Sequence, residues 1–397
     1  MVHGLTSPIT TSAFHNPVHI RFGDSALDGL ADLVDGRRLV LVTTPGMVDR
    51  GVAARVLQAF GVPPALTFTD VDPNPTIAGT TAAYEHIHPA GPELLVALGG
   101  GSVMDTAKAV AAQAAHAGED GWLSAHLREG VAYRTDTPPP TIIAIPTTAG
   151  TGSEVTWWGT IWDERDGRKH SIAHPTLLPS HALLVPAFTR SLPADLTVTT
   201  ALDALSHAME AIWNRSANPV SDALAVRAIS VIPAAVEAAV RDGEDASARG
   251  AMLGASLVAG LAMSNTRTAV AHSMSYPLTS ILGVPHGIAC SVTLPEILEL
   301  VSESRPDRAD LITAALGADG AASAAAILHE LYGRIGADEQ FRRHVPDVRS
   351  LSAVEPRLFT PGRADNLVVP FDEARAIDLL RRATARTLGS TDRSVPS

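Results

Sequence analysis

Between residues 18 and 145, short apolar runs alternate with longer segments in which apolar residues recur at helical spacing. Val18–Gly23 alternates apolar and polar residues, which predicts a half-exposed strand. The continuous apolar runs lack that alternation and are typical of parallel strands buried on both faces; they are Leu39–Thr44, Leu94–Leu98 and Thr141–Ile145. Helical spacing predicts the helices Ser25–Val34, Val48–Phe60, Ile77–Ile87 and one that begins at Ser102. Such alternation favours a doubly wound, mostly parallel sheet, which binds ligands at the carboxyl ends of its strands.

After Pro193 the pattern changes, because long stretches rich in Ala, Leu and Val with helical spacing replace the short runs. A chain of 397 residues also exceeds the usual size of a single core. We therefore expect an α/β domain over residues 1–192 and an all-α domain over residues 193–397. The predicted helices of the second domain are Leu196–Asn214, Pro219–Arg241, Ala246–Met263, Ala269–Leu282, Leu294–Val301, Arg305–Leu316, Ala321–Ile335 and Phe371–Thr387.

Two loops rich in small residues follow neighbouring predicted strands. Gly99–Ser102 precedes a helix, so its backbone can approach an anion closely while the helix N-terminus offers free N–H groups. Alone, this loop is better explained as a glycine turn with a serine cap. Pro146–Thr156 is a second loop of this kind, rich in hydroxyl groups. Two such loops are better explained by one polyphosphate ligand.

Asp203 and His207 lie four residues apart in a predicted helix and therefore share one face. With His272 and His286 they form a set of one carboxylate and three imidazoles, which suits a divalent transition metal. Such a set would leave the ion with a net charge of about +1, which suits a Lewis acid. Because the chain holds 15 histidines, an ordinary Asp–His pair is the alternative at this point.

Charge and composition exclude several classes of partner. A formal net charge of −12 argues against a nucleic-acid partner, because phosphate backbones require a basic surface. The sequence offers no apolar run that we expect to span a membrane and no signal-peptide pattern, so a cytoplasmic location is expected. The single cysteine, Cys290, rules out an intramolecular disulfide and argues against a thiolate metal cluster.

Together these motifs resemble the iron-containing alcohol dehydrogenases. The resemblance rests on the segments Gly99–Lys108, Pro146–Thr156, Asp203–Glu210, His272 and Pro285–Gly287, which occur in the order and spacing of that family. It implies a dinucleotide-binding domain, a helical domain, and Fe²⁺ or Zn²⁺ held between them by Asp203, His207, His272 and His286. It also implies that NADH or NADPH is bound by Thr44, Asn74, Gly99, Gly100, Gly101, Ser102, Asp105, Thr147, Thr148, Thr151 and Lys169.

Within that family, shorter segments resemble the phosphonoacetaldehyde reductases of phosphonate antibiotic pathways; they are Asn16-Pro17, Trp157, Lys169–Ser171, His272–Thr279 and Asp365-Asn366. This narrower resemblance implies reduction of phosphonoacetaldehyde to 2-hydroxyethylphosphonate. A homodimer is common among such relatives and is expected here.

Two positions depart from the common family pattern. Tyr276 replaces a histidine, which removes one proton relay, and Thr44 replaces an acidic residue, which admits NADPH.

Three residues are candidates for the catalytic and substrate contacts. Lys169 fits a family position near the nicotinamide, with a surface lysine as the alternative. Arg267 precedes His272 by five residues, where relatives tend to have small or apolar residues, so it is a candidate for an anionic substrate tail. Tyr276 could orient the substrate or donate a hydrogen bond to it. Both Arg267 and Tyr276 also have structural alternatives, a surface arginine and a packed tyrosine.

Two other activities are compatible with this architecture. An iron- or zinc-dependent dehydrogenase of an uncharged alcohol or diol would use the same cofactor loops and metal ligands. A sugar-phosphate cyclase related to dehydroquinate synthase would share the fold, but it needs a more basic cleft than this acidic chain offers. We therefore expect an aldehyde reductase with a small aldehyde or alcohol as its substrate.

Overall fold

The computed structural model describes residues 13–134, 136–165, 167–359 and 364–389. Its internal contacts divide the chain into two compact units. The first unit, here called the sheet unit, runs from Asn16 to Ser191. The second, here called the helical unit, begins at Leu192 and includes residues 13–15.

The sheet unit contains a parallel sheet and a separate antiparallel hairpin. In chain order its strands are β1 (His19–Phe22), β2 (Leu39–Val42), β3 (Leu66–Phe68), β4 (Leu94–Gly99), β5 (Thr141–Pro146), β6 (Trp158–Asp163), β7 (Arg168–Ala173) and β8 (His181–Leu184). The parallel sheet has the order β1-β8-β5-β4-β2-β3, and β6 pairs with β7 in the hairpin. The predicted doubly wound parallel sheet is confirmed.

Burial of β2 and β4 explains their continuous apolar sequences. Val40 and Val42 join a core cluster with residues of the helices that follow β3 and β4. Leu39 and Leu41 point to the opposite face and pack in a second cluster. Since successive side chains of a strand alternate between faces, a strand covered on both faces must be apolar at every position.

The helices of this unit are α1 (Ala31–Val34), α2 (Pro45–Asp49), α3 (Val52–Phe60), α4 (Ile77–Ile87), α5 (Gly101–Ala115) and α6 (Trp122–Glu129). The predicted helix Ile77–Ile87 is confirmed. Two other segments, each predicted to be one continuous helix, are interrupted. The stretch Ser25–Val34 is broken at Gly29, where φ is +65°, and Val48–Phe60 is broken at Gly51, where φ is +72°. Glycine adopts this left-handed conformation without steric cost and so ends a helix.

The helical unit confirms the predicted all-α domain. Its helices are α7 (Ala194–Ile212), α8 (Pro219–Arg241), α9 (Ala246–Thr266), α10 (Val270–Leu282), α11 (His286–Ser291), α12 (Leu294–Ser304), α13 (Pro306–Ala315), α14 (Ala321–Arg334), α15 (Ala337–His344) and α16 (Glu373–Thr387). Helices α7, α8 and α9 pack against one another and form the centre of this unit. Helices α11 and α15, which are short, were not predicted from the sequence.

In the part of the chain that the structure describes, two helices are long and apolar enough to cross a membrane, α8 and α9. This finding corrects the expectation that no segment meets that criterion. It is weak evidence for a membrane span, because core helices of water-soluble proteins have the same length and composition. Helix α9 also carries the buried Arg249, whose guanidinium donates hydrogen bonds to Gly243 O, Thr197 Oγ1 and Leu192 O.

Candidate functional site

The two loops predicted to share a ligand lie against each other in the sheet unit. Thr147 N donates a hydrogen bond to Gly99 O at 3.0 Å, which joins the ends of β4 and β5. A Cβ atom added to Gly101 would lie 2.8 Å from Thr151 Cγ2, so a side chain there would push the loops apart. The glycines therefore permit the close approach that brings two sets of backbone N–H groups together.

The remaining predicted loop residues lie at the same edge of the parallel sheet. Asn74 lies between β3 and α4, and its N–H donates to Ser102 Oγ at 3.3 Å. Thr44 follows β2 and is the N-cap residue of α2. Gly100 packs against Thr148, since a Cβ added to it would lie 3.1 Å from Thr148 Cγ2. Open α/β sheets bind their ligands at this edge.

Asp105 on α5 anchors the second loop. Its Oδ1 accepts a hydrogen bond from Ser153 Oγ at 2.7 Å, and its Oδ2 accepts one from Thr160 N at 3.0 Å. Burial raises the pKa of this carboxyl, although the charges of Lys108 and Lys169 oppose the rise. Because both oxygens bond to protein groups, the carboxylate orders the loop. A direct contact of Asp105 with the cofactor stays a prediction.

Lys108 lies one helical turn after Asp105 and is fully buried. Its ammonium donates to Ser153 O and Oγ, Thr156 Oγ1 and Trp158 O at 2.7–3.2 Å. Burial lowers the pKa of Lys108 to about 8 and raises the pKa of the neighbouring Glu154 to about 7. The sequence motif Gly99–Lys108 contains Lys108 but did not predict this role, for which the spacing from Asp105 was the available signal.

The structure places Lys169 on β7, half-buried and paired in register with Trp162. Its charge is among those that lower the pKa of Asp105, so its ammonium lies within electrostatic reach of the loop anchor. A contact between Lys169 and the nicotinamide stays a prediction.

In the helical unit, the four predicted metal ligands meet around one carboxylate oxygen. Asp203 and His207 lie on α7, His272 on α10, and His286 begins α11. From Asp203 Oδ1 the distances are 3.5 Å to His272 Nε2, 3.7 Å to His207 Nε2 and 3.9 Å to His286 Nε2. The rings of His207 and His272 are stacked, with centroids 4.7 Å apart.

The spacing of these atoms tests whether they fit a metal ion. Two nitrogen or oxygen ligands at about 2.1 Å from a tetrahedral ion are about 3.4 Å apart. The shortest separation above is close to that value. Among the described residues, Asp203 Oδ1 and His272 Nε2 are buried without a hydrogen-bond partner. Buried polar atoms normally have partners, so these two fit a site that a cation completes.

Glu210, one helical turn after His207, holds His272 in place and is fully buried. Its carboxylate accepts hydrogen bonds from His272 Nδ1 at 2.7 Å and from the backbone N–H groups of Ala269 and Ala271. This contact leaves His272 Nε2 directed at Asp203, another of the predicted metal ligands, an arrangement typical of metal-binding histidines. Sequence analysis missed this role, although positions 203, 207 and 210 share one helix face.

Gly287 brings His286 to the site. A Cβ atom added at this position would lie 1.8 Å from Thr199 O and 3.0 Å from Asp203 N. Helix α11 therefore packs directly on the backbone of α7, and only glycine permits that contact. This packing explains the Pro-His-Gly motif in physical terms.

The electrostatics of the site favour a cation. Burial raises the pKa of Asp203, but the imidazoles of His207, His272 and His286 outweigh burial and hold that pKa well below its usual range. Burial lowers the pKa of His272, but the sulfur of Cys290 and the carboxylate of Glu210 raise it well above its usual range. The Glu210 carboxylate lies at His272 Nδ1 and the Asp203 carboxylate lies on the Nε2 side, so acidic groups flank this imidazole on both sides, which suits a divalent ion.

Cys290 also lies among these groups, although it was not in the predicted set. One ligand atom from each of Asp203, His272, His286 and Cys290 lies within 4.8 Å of the others. The signal in the sequence was its position four residues after His286, on the same face of α11.

The other two predicted residues lie near the metal ligands in the chain. Tyr276 is half-buried on α10, one turn after His272. Arg267 is exposed and follows the last residue of α9, with φ +65° and ψ −177°. That backbone conformation is rare for any residue other than glycine.

Comparison with known proteins agrees with this geometry. The family model for iron-containing alcohol dehydrogenase matches residues 17–186, and the model for the C-terminal region of the same family matches residues 197–346. Alcohol dehydrogenase 4 of Saccharomyces cerevisiae YJM789 is 35% identical over 296 residues, which cover 73% of this chain and 76% of that protein. The 4-hydroxybutyrate dehydrogenase of Cupriavidus necator is 35% identical over 329 residues, 80% of this chain and 85% of that protein.

A solved structure extends the likeness to the whole fold. Sulfoacetaldehyde reductase from Bifidobacterium kashiwanohense, in complex with NAD⁺, superposes with a TM-score of 0.86 at 29% identity, covering 96% of this chain and 100% of that chain. Family models that match both units, and a site with the chemistry of a divalent metal centre, lead to one conclusion. The chain belongs to the iron-containing alcohol dehydrogenase family and is an oxidoreductase that uses NAD(H) and a metal ion, iron.

Proposed function

We propose that this protein reduces phosphonoacetaldehyde to 2-hydroxyethylphosphonate with NADH or NADPH. Asp203, His207, His272 and His286 hold the divalent metal ion, Fe²⁺ or Zn²⁺, in this proposal. A cytoplasmic location and a homodimeric state are further predictions. The observation that carries the proposal is the position and backbone conformation of Arg267.

Arg267 occupies a turn whose conformation strains its backbone. Values of φ +65° and ψ −177° lie in a region that is nearly exclusive to glycine and costs other residues roughly 1–3 kcal/mol. Such strain persists where the surrounding structure fixes the chain, and it is concentrated at functional sites. An exposed guanidinium at this turn, five residues before His272, supports a role in binding an anionic group.

Side chains at the C-terminal end of α7 and near residue 366 fix this turn. Asn214 Nδ2 donates to Arg267 O at 3.4 Å, and Asn366 Nδ2 donates to Thr268 O at 2.8 Å. Glu210 accepts a hydrogen bond from Ala269 N at 2.8 Å. Since Glu210 also holds His272, the turn and the metal ligand share one support. The backbone of this turn is therefore held in a defined position along the chain that leads into α10.

The names of two relatives support an anionic substrate. One relative is named 4-hydroxybutyrate dehydrogenase, and another is named sulfoacetaldehyde reductase. The compounds in these names carry a carboxylate and a sulfonate. Each compound carries its anionic group at the end opposite the alcohol or aldehyde. A phosphonate on a two-carbon aldehyde has the same arrangement, and a guanidinium binds such oxyanions with paired hydrogen bonds.

The reaction adds a hydride from NADH or NADPH and a proton from solvent to the aldehyde, and it gives the alcohol and the oxidised nicotinamide. When bound, the metal ion supplies a Lewis acid for the carbonyl oxygen and the reduced nicotinamide supplies the hydride. The loops Gly99–Ser102 and Pro146–Thr156 bind and orient the dinucleotide through backbone N–H groups. Lys169 contacts the cofactor near its nicotinamide, and the Tyr276 hydroxyl hydrogen-bonds to the substrate oxygen. Arg267 binds the phosphonate.

The test compares substrates on the Fe²⁺-loaded protein. We expect kcat/KM for phosphonoacetaldehyde to exceed that for propanal and lactaldehyde by about 100-fold or more, roughly 2.7 kcal/mol of discrimination. NADH and NADPH are compared in the same assay. Equal or better turnover of the uncharged aldehydes would favour an alcohol or diol dehydrogenase and overturn the phosphonate assignment.

Two substitutions at Arg267 separate its charge from its backbone strain. Arg267→Ala and Arg267→Gly both remove the cation, so both should raise KM for phosphonoacetaldehyde far more than KM for propanal. Only glycine relieves the strain, so Arg267→Gly should have the higher melting temperature of the two. If KM for both aldehydes changes equally, Arg267 does not bind the substrate tail.

A further inference from the structure

Helices α11 and α12 follow each other with only Val292 and Thr293 between them, so together they form one interrupted helical path. The interruption has a cause in the sequence. Pro295, in the first turn of α12, has no N–H group, so it cannot donate the hydrogen bond that Ser291 O would receive from the residue four positions later. A buried carbonyl group that loses its helical donor needs another partner.

Side chains from two helices that are distant in the chain bind the carbonyl groups at this interruption. Tyr332 on α14 donates its hydroxyl hydrogen to Ser291 O at 3.0 Å, and both residues are only 2% exposed. Arg386 on α16 donates from Nη2 to Val292 O at 3.1 Å. Its Nε donates to Glu296 Oε1, also at 3.1 Å, so a buried carboxylate fixes the guanidinium. The end of α11 is therefore attached to α14 and α16 as well as to α12.

The direction of α11 decides where its first residue, His286, lies. This helix has six residues, which is too short to be stable by itself, so contacts at its two ends fix its path. In its first turn, Gly287 lies against the backbone of α7. Glycine permits that approach but offers no side chain to hold it. The hydrogen bonds from Tyr332 and Arg386 supply the polar attachment of the helix at its other end.

We propose that Tyr332 and Arg386 are positioning residues for the metal site. They bind the end of α11 where Pro295 interrupts the helix, and they thereby keep His286 Nε2 at its position 3.9 Å from Asp203 Oδ1. Neither residue is a metal ligand in this proposal, because each acts on His286 through the backbone of α11. The inference rests on the proposed role of His286 as a ligand, and its experiments separate the two.

The first test is the Tyr332→Phe variant of the full-length protein, which loses one hydroxyl group and keeps the ring that fills the core. We expect its Fe²⁺ dissociation constant to rise roughly tenfold, the lower end of the range for loss of an outer-shell partner, because Tyr332 acts through α11. X-ray absorption at the iron edge should show fewer imidazole neighbours. Tyr133→Phe removes a tyrosine hydroxyl in the sheet unit and is the control. A lower melting temperature with unchanged Fe²⁺ affinity would mean that Tyr332 supports the fold alone, and would overturn the inference.

Pro295→Ala tests the link between the interruption and the metal site. Its new N–H group can bond to Ser291 O, which makes the Tyr332 hydroxyl redundant and lets α11 continue in the direction of α12. We expect Fe²⁺ affinity to fall by about tenfold or more, although the helix gains a hydrogen bond. Addition of Tyr332→Phe should then change the affinity little, because both substitutions act on one carbonyl group. Effects that multiply in the double variant would mean that Ser291 O is not their shared point, and would overturn the proposal.

Two substitutions at Arg386 test the second attachment. Arg386→Lys keeps a cationic donor for Val292 O and should retain most of the Fe²⁺ affinity, whereas Arg386→Met cannot donate and should raise the dissociation constant roughly tenfold. Arg382→Met, at an exposed ion pair of the same helix, is the control. Unchanged affinity in Tyr332→Phe and Arg386→Met would overturn the positioning role and keep the metal site. Failure of the unmodified protein to bind Fe²⁺ would overturn both.

Discussion

The two candidate sites use different chemical groups: the site in the sheet unit uses backbone groups, and the site in the helical unit uses side chains. In the sheet unit, the loops after β4 and β5 present backbone groups and small side chains, and the charged Asp105 and Lys108 lie behind them with hydrogen-bond partners. In the helical unit, the candidate ligand atoms belong to charged or titratable side chains. Two of these atoms, Asp203 Oδ1 and His272 Nε2, lack hydrogen-bond partners among the described residues. A polyphosphate needs many N–H donors, whereas a metal ion needs a few directed lone pairs.

This difference predicts how each site fails. The metal site depends on single side chains, so removal of one ligand should disable it. The loop site depends on backbone positions, so it should fail when an added group separates the loops.

His272→Ala should have the largest effect, because it removes a ligand and leaves the Glu210 carboxylate buried without its imidazole partner. We expect metal affinity to fall by more than the roughly 100-fold seen when an outer-shell partner is lost, and reductase activity to fall to background. Metal content by mass spectrometry and NADH oxidation are the measurements. His88→Ala, an exposed histidine of the sheet unit, is the control. Unchanged metal content in His272→Ala would exclude it as a ligand.

Glu210→Gln should have an intermediate effect. The amide keeps the size of the side chain but cannot accept all the hydrogen bonds from Ala269, Ala271 and His272 that the carboxylate accepts. We expect metal affinity to fall by roughly 10–100-fold. Glu330→Gln, on an exposed position of α14, should not alter it. Equal metal affinities of Glu210→Gln and the unmodified protein would mean that the contact with His272 does not support the site.

Gly101→Ala tests the loop site. Its new Cβ would lie 2.8 Å from Thr151 Cγ2, so the loops must separate. We expect KM for NADH to rise about tenfold with little change in kcat, which is the pattern of lost uniform binding. Thr151→Ser removes the clashing methyl group, so the double variant should recover most of the lost affinity. If it does not, the closeness of the two loops is not what cofactor binding requires.

The sequence predicts those elements of the fold that depend on interactions between neighbouring residues. Strand β2 and helix α4 are specified by neighbouring residues, so their patterns predicted them. The breaks at Gly29 and Gly51 were missed, because apolar spacing continues through a glycine whose positive φ ends the helix. Strand β7 was missed because its polar sequence becomes a strand only by pairing with β6.

The candidate sites show the same limit. The candidate metal ligands could be proposed because their residue types are specific and the family motifs fix their order. The partners of those ligands could not, since Glu210 and His272 are 62 residues apart and meet only after helix packing. Cys290 was visible at helical spacing from His286, but its closeness to Asp203 depends on Gly287 and the packing of α11 on α7.

Glu154→Gln should have the smallest effect, and that effect should depend on pH. Burial raises the folded-state pKa of Glu154 to about 7 from an ordinary 4.5. Between these values the folded protein binds more protons than the unfolded chain, so the contribution of Glu154 to stability is complete below about pH 4.5 and is lost as pH rises through about 7. The neutral amide removes this dependence without changing the size of the side chain.

The Glu154→Gln variant should therefore gain stability relative to the unmodified protein as pH rises, by on the order of 1 kcal/mol between pH 5 and pH 8. Lys108 does not mimic this change, because burial lowers its pKa to about 8 and its own contribution to stability rises only above that pH. Thermal melts at both pH values measure the difference, with the exposed Glu85→Gln as the control for the loss of one negative charge. A melting-temperature difference that stays constant from pH 5 to pH 8 would mean that the Glu154 carboxyl is not held in its neutral form within the second loop. The sheet unit would then tolerate a buried negative charge, as the helical unit does at Asp203.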